Sequence, residues 1–273
     1  MKHKIGFFVN DTCENEKEKE VCNRQHNTVT GRKSLVQVYF WRRNRTLTYY
    51  NDMFDLKVGD IVFVDGKLEN ERGCVVEISY TFKIKLSDYK RVIAVADTDV
   101  HGKLFMDNCN FYSFDKETLS KEKVRTWFFP PQNNDDEDIV VSFDDTTFPL
   151  SELNKMKISE NATARGFEYY REGKVRYISL DKNKGYAIVD GTHFYEVEFE
   201  YNDGEISNLI CSCPCSSNCK HNFATMLQLR DCLKNIEDVL SNEVEYNGYF
   251  ASVTKSTMYN LILSMKTTGS IIL

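Results

Sequence analysis

The chain has 273 residues, 41% of them hydrophobic and 28% charged, with a formal net charge of −6. That balance excludes a disordered or fibrous chain and argues against a protein that coats nucleic acid over its whole surface, which would need a surplus of lysine and arginine. No apolar run is long enough to cross a bilayer, and Met1-Lys-His-Lys-Ile-Gly-Phe-Phe-Val9 turns polar too soon for a secretory signal, so the expectation is a cytoplasmic protein with no membrane contact.

The length has room for about two domains. A β-rich N-terminal domain is expected over 1–129. Leu35-Val-Gln-Val-Tyr-Phe-Trp41, Ile61-Val-Phe-Val64 and Gly73-Cys-Val-Val-Glu-Ile78 are rich in branched and aromatic residues and read as strands. Gly59-Asp60 supplies a tight turn before one strand, and Asp65-Gly66 a hairpin after it. Short strands with turns between them suggest a barrel, and the phrasing resembles small SH3-like or KOW-like barrels, from which no function is carried over.

Between Val21 and Asn51 the six cations Arg24, Arg32, Lys33, Arg42, Arg43 and Arg45 occur without an acid. Trp41 and Tyr49-Tyr50 lie among them, and guanidinium groups beside aromatic faces are what phosphate contact and base stacking need. Arg32, Lys33, Arg42, Arg43, Arg45 and, further on, Lys220 are therefore the candidate nucleic-acid contacts; the bland alternative is a solvated hairpin whose charges discourage edge pairing. Cys13, Cys22 and His26, with His3 behind them, could make a metal site, although C-x8-C-x3-H matches no common ligand pattern. His101 and His193 sit in turn-like settings and are given no role.

Pro130-Pro131-Gln-Asn-Asn-Asp-Asp-Glu-Asp138 cannot bury itself, and a solvated acidic linker is placed over 130–150. A second module follows over 151–242. It opens with an amphipathic helix from about Ile158 to Glu172 that Gly173 can stop. Apolar runs at Lys174–Leu180 and Gly185–Val189 read as strands, as does the alternating Tyr195-Glu-Val-Glu-Phe-Glu-Tyr201. Asn202-Asp203-Gly204 supplies a hairpin turn, and Ile206–Ile210 returns the chain. Met226, Leu229, Leu233, Ile236 and Leu240 recur at helical spacing and read as the core face of a helix from about Lys220. A tail with a short helix and strand is expected over 243–273. The fold class is thus α+β, a barrel-like β domain beside a small metal-binding sheet and helix.

Four of the nine cysteines lie within nine residues, in Cys211-Ser-Cys213-Pro-Cys215-Ser-Ser-Asn-Cys219-Lys-His221. Crowding of this kind points to metal rather than disulfides. Cys211, Cys213, Cys219 and His221 supply three thiolates and an imidazole, the donor set of a closed tetrahedral zinc site. With all four positions filled by protein, no place remains for an activated water, so a structural zinc and a non-enzymatic role are expected. Cys215 could exchange with Cys213, act as an oxidisable thiol, or be a bystander.

With Ala164-Arg-Gly-Phe-Glu-Tyr-Tyr-Arg-Glu-Gly-Lys-Val175 upstream and Ala224-Thr-Met-Leu227 downstream, this segment resembles the SWIM zinc finger family over residues 158–235. The resemblance implies zinc on Cys211, Cys213, Cys219 and His221, and a module associated with DNA binding and protein interaction, found beside Swi/Snf-type helicase domains. No helicase domain and no G-x-x-x-x-G-K-[ST] phosphate loop occur in the chain, so an ATPase activity is not carried over. Glu196, Glu198 and Glu200 on one strand face would repel phosphate, leaving Lys174, Arg176 and Lys220 as the side open to DNA. The expectation is a non-catalytic binding protein for DNA and/or a protein partner, such as a separately encoded helicase, without a small-molecule substrate.

Overall fold

The computed structural model describes residues 4–6, 31–107, 109–131, 141–142, 146–240, 248–262 and 270–272, with the backbone alone described for 4–6, 262 and 270–272. After β1 (Lys4–Gly6), the chain folds β2 (Ser34–Phe40), β3 (Arg45–Asn51), β4 (Ile61–Val64), β5 (Gly73–Ser79) and β6 (Val92–Val95) into an antiparallel sheet of order β3-β2-β5-β4-β6. In β2, Val36, Val38 and Phe40 are buried in alternation with half-buried Gln37 and Tyr39, the period-two signature of a sheet covered mainly on one face. These three side chains pack with Leu56, Val62, Val64 and Val75 into a core of their own. Asp60 closes the turn before β4, its N–H donating to the Lys57 carbonyl (3.1 Å) with Gly59 at φ 101.

The expected barrel is corrected to an open sheet. Its edges β3 and β6 are joined by one isolated bridge, Tyr50 with Arg91, rather than by a ladder. Asp65-Gly66 does not make a tight hairpin either, because the connection from β4 to β5 runs over residues 65–72.

The second sheet crosses the boundary expected at the linker. It takes in β7 (Lys103–Asp107) and β8 (Asn110–Ser113), and later β9 (Phe148–Pro149), with the short helix α1 (Lys121–Arg125) between. After α2 (Glu160–Arg171) come the meander β10 (Val175–Asp181), β11 (Lys184–Asp190), β12 (Phe194–Asn202) and β13 (Glu205–Cys211), then α3 (Lys220–Asn235), β14 (Tyr249–Thr254) and β15 (Ser270–Ile272). The order is β1-β15-β7-β8-β14-β10-β11-β12-β13-β9, antiparallel except at β15–β7. β14 lies inside this sheet between β8 and β10, with all six residues buried, so 249–254 is an internal strand and not part of a tail. At the end of the expected linker, Phe148 and Leu150 are also buried.

The middle of the sheet is covered on both faces. Ile178, Leu180, Ala187, Val189, Val197 and Phe199 face α3 through Phe223, Ala224 and Leu227. Tyr177, Tyr186 and Ile188 face the opposite way, onto Leu119, Val124, Trp127 and Phe128. Continuous apolar runs such as Tyr186-Ala-Ile-Val189 are what a doubly covered strand requires. Ser159 caps α2 by accepting the Ala162 N–H (3.3 Å). At its far end Gly173 takes φ 62, and the Lys174 N–H reaches back to the Tyr169 carbonyl (2.9 Å). Gly166 lets α2 approach α3, since a Cβ there would stand 2.9 Å from the Lys220 carbonyl oxygen. No described helix is long and apolar enough to cross a membrane.

Candidate metal centre

Two elements that pack on each other deliver the four candidate ligands. Cys211 ends β13, Cys213 follows in the loop, Cys219 sits at the N-cap position of α3, and His221 lies in its first turn. The loop is tied to the sheet by a reciprocal pair: the Ser212 N–H donates to the Glu196 carbonyl (2.9 Å), and the Glu196 N–H to Ser212 Oγ (2.9 Å). On the helix side, Asn218 Nδ2 donates to the Lys157 carbonyl (3.3 Å) and Asn222 Nδ2 to Asn218 Oδ1 (3.0 Å), which holds the entry to α3 against the start of α2.

The four ligand atoms lie within 4.8 Å of one another, and Cys213, Cys219 and His221 are buried. His221 Nδ1 stands 3.6 Å from both Cys211 Sγ and Cys219 Sγ. With metal–sulfur bonds of about 2.3 Å and metal–nitrogen bonds of about 2.0–2.1 Å, the S···N edge of a tetrahedron is about 3.5 Å, so the spacing fits one ion. These residues can hold a metal ion.

The imidazole is fixed from both sides, stacked on Tyr195 (4.5 Å between ring centres, 27° between planes) and tilted against Tyr169 (5.5 Å). Its Nε2 points at Gly191, where a Cβ would come within 3.0 Å of it and 2.9 Å of the Tyr195 ring. Among the described residues Nε2 is buried without a partner, so the ring is oriented by the packing of the two tyrosines and by its Nδ1 contacts to the sulfurs.

A hydrogen bond from Cys211, aided by His221 and the Asn222 backbone N–H, pulls the Cys219 thiol down to about 4. The same shared hydrogen bond, then burial, pushes Cys211 far above the thiol range, and burial pushes Cys213 up to about 11. Burial disfavours the thiolate forms of Cys211 and Cys213, and a cation that takes all three sulfurs must expel their protons. Cys215 is exposed and outside the cluster, and it serves Cys213 through its backbone N–H.

The other candidates are dispersed. Arg42 donates to Asp190 Oδ1 (2.5 Å) and to the Gly191 and Thr192 carbonyls (3.1 Å each), while Arg43 pairs with Glu71 (2.6 Å). Arg32 lies over the Tyr80 ring (4.0 Å) and Lys220 over Tyr169 (4.8 Å). Lys33 and Arg45 are exposed near opposite ends of the β2–β3 hairpin, about 20 Å apart along the strands. On the strand expected to repel phosphate, Glu196 pairs with Arg125 (2.9 Å) and Glu198 with Lys121 (2.6 Å). His101 and His193 are exposed; His3, Cys13, Cys22 and His26 lie outside the described residues. Sequence reasoning missed Tyr169, Tyr195 and Gly191 around the imidazole, because nothing local marks a tyrosine or glycine that meets a histidine across a sheet and two helices.

Compared with models of known protein families, with curated proteins and with solved structures, the chain matches none.

Proposed function

We propose that Cys211, Cys213, Cys219 and His221 hold a structural zinc ion and that the chain is a non-catalytic binding protein for DNA and/or a protein partner, as its resemblance to SWIM zinc fingers implies. The observation that carries the reading is the pair of 3.6 Å contacts from one imidazole nitrogen to two sulfurs in a buried three-sulfur, one-nitrogen cluster. Soft thiolates with an imidazole favour zinc over the oxygen-loving magnesium or calcium. Metal analysis of the full chain purified without chelator should give one zinc per chain, lost in Cys219→Ser. A protein free of metal after anaerobic, zinc-supplemented preparation refutes the assignment.

A specific observation favours a protein partner over DNA. Arg42 and Arg43, the centre of the basic stretch, are held by Asp190 and Glu71, and Lys33 and Arg45 stand near opposite ends of the β2–β3 hairpin. The second reading is therefore an adaptor, with a separately encoded helicase as the partner class. Anisotropy titrations with duplex and single-stranded DNA across salt concentrations separate the two. Phosphate contact gives affinity that falls steeply with salt and drops in Lys33→Glu with Arg45→Glu, two residues without an ion pair among the described residues. No binding at low ionic strength leaves the adaptor reading.

A further inference from the structure

Where the tip of the β2–β3 hairpin meets the Asp190–Phe194 turn lies a cavity of about 350 Å3, a volume suited to a small ligand. Trp41, Glu71, Arg72, Lys174 and Phe194 are among its walls. Both acids of the wall are already engaged, Glu71 by Arg43 and Asp190 by Arg42 and Arg176. Arg72 is different. Its Nη1 donates to the Trp127 carbonyl (2.7 Å), and the guanidinium lies over Phe128 (4.6 Å) and Phe194 (5.0 Å). Among the described residues no carboxylate forms an ion pair with it. Burial pulls its pKa down to about 9; the Asp190 carboxylate pulls the other way, and Arg176 and Arg42 add repulsion. Asp190 is already shared by Arg42 and Arg176, so around Arg72 three guanidinium groups face one carboxylate.

One wall residue also carries an acceptor short of a donor: Glu71 Oε2 is buried without a partner among the described residues. An inorganic anion would satisfy Arg72 and leave Glu71 as it is. A ligand that carries both a phosphate and hydroxyl or amino donors on a flat group answers both, and the indole of Trp41, 40% exposed, offers a face for the flat group.

We propose that this cavity binds a nucleoside monophosphate unit, with its phosphate on Arg72 and Lys174, a sugar or base donor on Glu71, and its ring against Trp41. The site is independent of the metal assignment and goes beyond it, since it takes a small ligand that the sequence does not lead one to expect. The unit could be a free nucleotide or the 5′-phosphorylated end of a single strand, which share this chemistry.

Calorimetry on the intact, metal-loaded chain provides the test, with adenosine monophosphate, adenosine, and a five-nucleotide single strand with and without its 5′-phosphate. Saturable binding of the monophosphate, at least tenfold weaker binding of adenosine, and at least tenfold weakening in Arg72→Lys are expected, because Lys cannot reproduce a forked contact. Should Arg72→Lys fail to fold, Lys174→Ala, at a half-buried surface position, is expected to weaken binding about threefold or more. The chain has two tryptophans and Trp127 is fully buried, so ligand quenching belongs to Trp41 and disappears in Trp41→Phe. A strand that binds only with its 5′-phosphate assigns the site to strand ends; monophosphate binding with both strands silent assigns it to the free nucleotide. Silence from the monophosphate and the phosphorylated strand at millimolar concentration, equal binding of adenosine, or variants within twofold of the parent would each overturn the proposal.

Discussion

Stripping the metal should open one corner of this protein and leave the rest standing. Small isolated zinc fingers unfold without their ion, whose apparent binding energy is about 10–16 kcal/mol near neutral pH. Here the helix that carries Cys219 and His221 has a second anchor. Phe223, Met226, Leu227 and Leu229 of α3 are buried on the sheet, and at about 2 kcal/mol for each buried side chain they contribute about 8 kcal/mol that does not pass through the metal. The sheet beneath continues to β14 and β8, with a second covered face around Trp127. By contrast, Ser212 and Pro214–Ser217 are exposed and have little to hold them apart from the ligands and the Ser212–Glu196 pair. Chelation at 25 °C followed by hydrogen exchange should raise exchange at residues 212–220 by about a hundredfold or more. Amides of Leu227–Leu233 should change by less than about tenfold, and the far-UV circular dichroism should persist. If chelation instead abolishes the far-UV signal and exposes β10–β12 as fully as the loop, the metal holds the whole fold, and the weight given to the two covered faces is wrong.

Other consequences are open to direct measurement. Metal binding must expel the protons of Cys211 and Cys213, both raised above the ordinary thiol range, whereas Cys219 is already lowered to about 4. Affinity should therefore rise with pH, by about a hundredfold per unit near neutrality for two protons released; competition with a chromophoric chelator checks this, and a flat profile contradicts it. Gly185→Ala would set a Cβ 2.0 Å from the buried Phe199 ring, so a loss of about 1–3 kcal/mol should appear in urea denaturation. A double-mutant cycle on Arg42→Ala and Asp190→Ala should return a coupling of about 1 kcal/mol, as the pair is partly screened by solvent; zero coupling would mean that the hairpin tip is not held by this contact.

The strands and helices of 158–240 were legible in the sequence because each repeats its own period: alternating Glu and apolar residues over Tyr195–Tyr201, three-and-four spacing from Met226, a glycine where α2 stops. The cluster was legible too, since Cys211, Cys213, Cys219 and His221 are close in the chain and a short turn brings them together. Partners distant in sequence were decided by tertiary structure alone. Pairing β14 with β8 and β10 buries Tyr249–Thr254 in the sheet, although no local pattern separates that segment from a tail. The barrel stays open because a single bridge between Tyr50 and Arg91 is no substitute for a ladder, and local propensity is silent on closure. Arg42 and Arg43 looked like free phosphate ligands until Asp190 and Glu71 arrived from elsewhere in the fold. Periodicity and close spacing are properties of the chain, whereas which charge is neutralised and which face is covered depend on contacts that form only when distant segments meet.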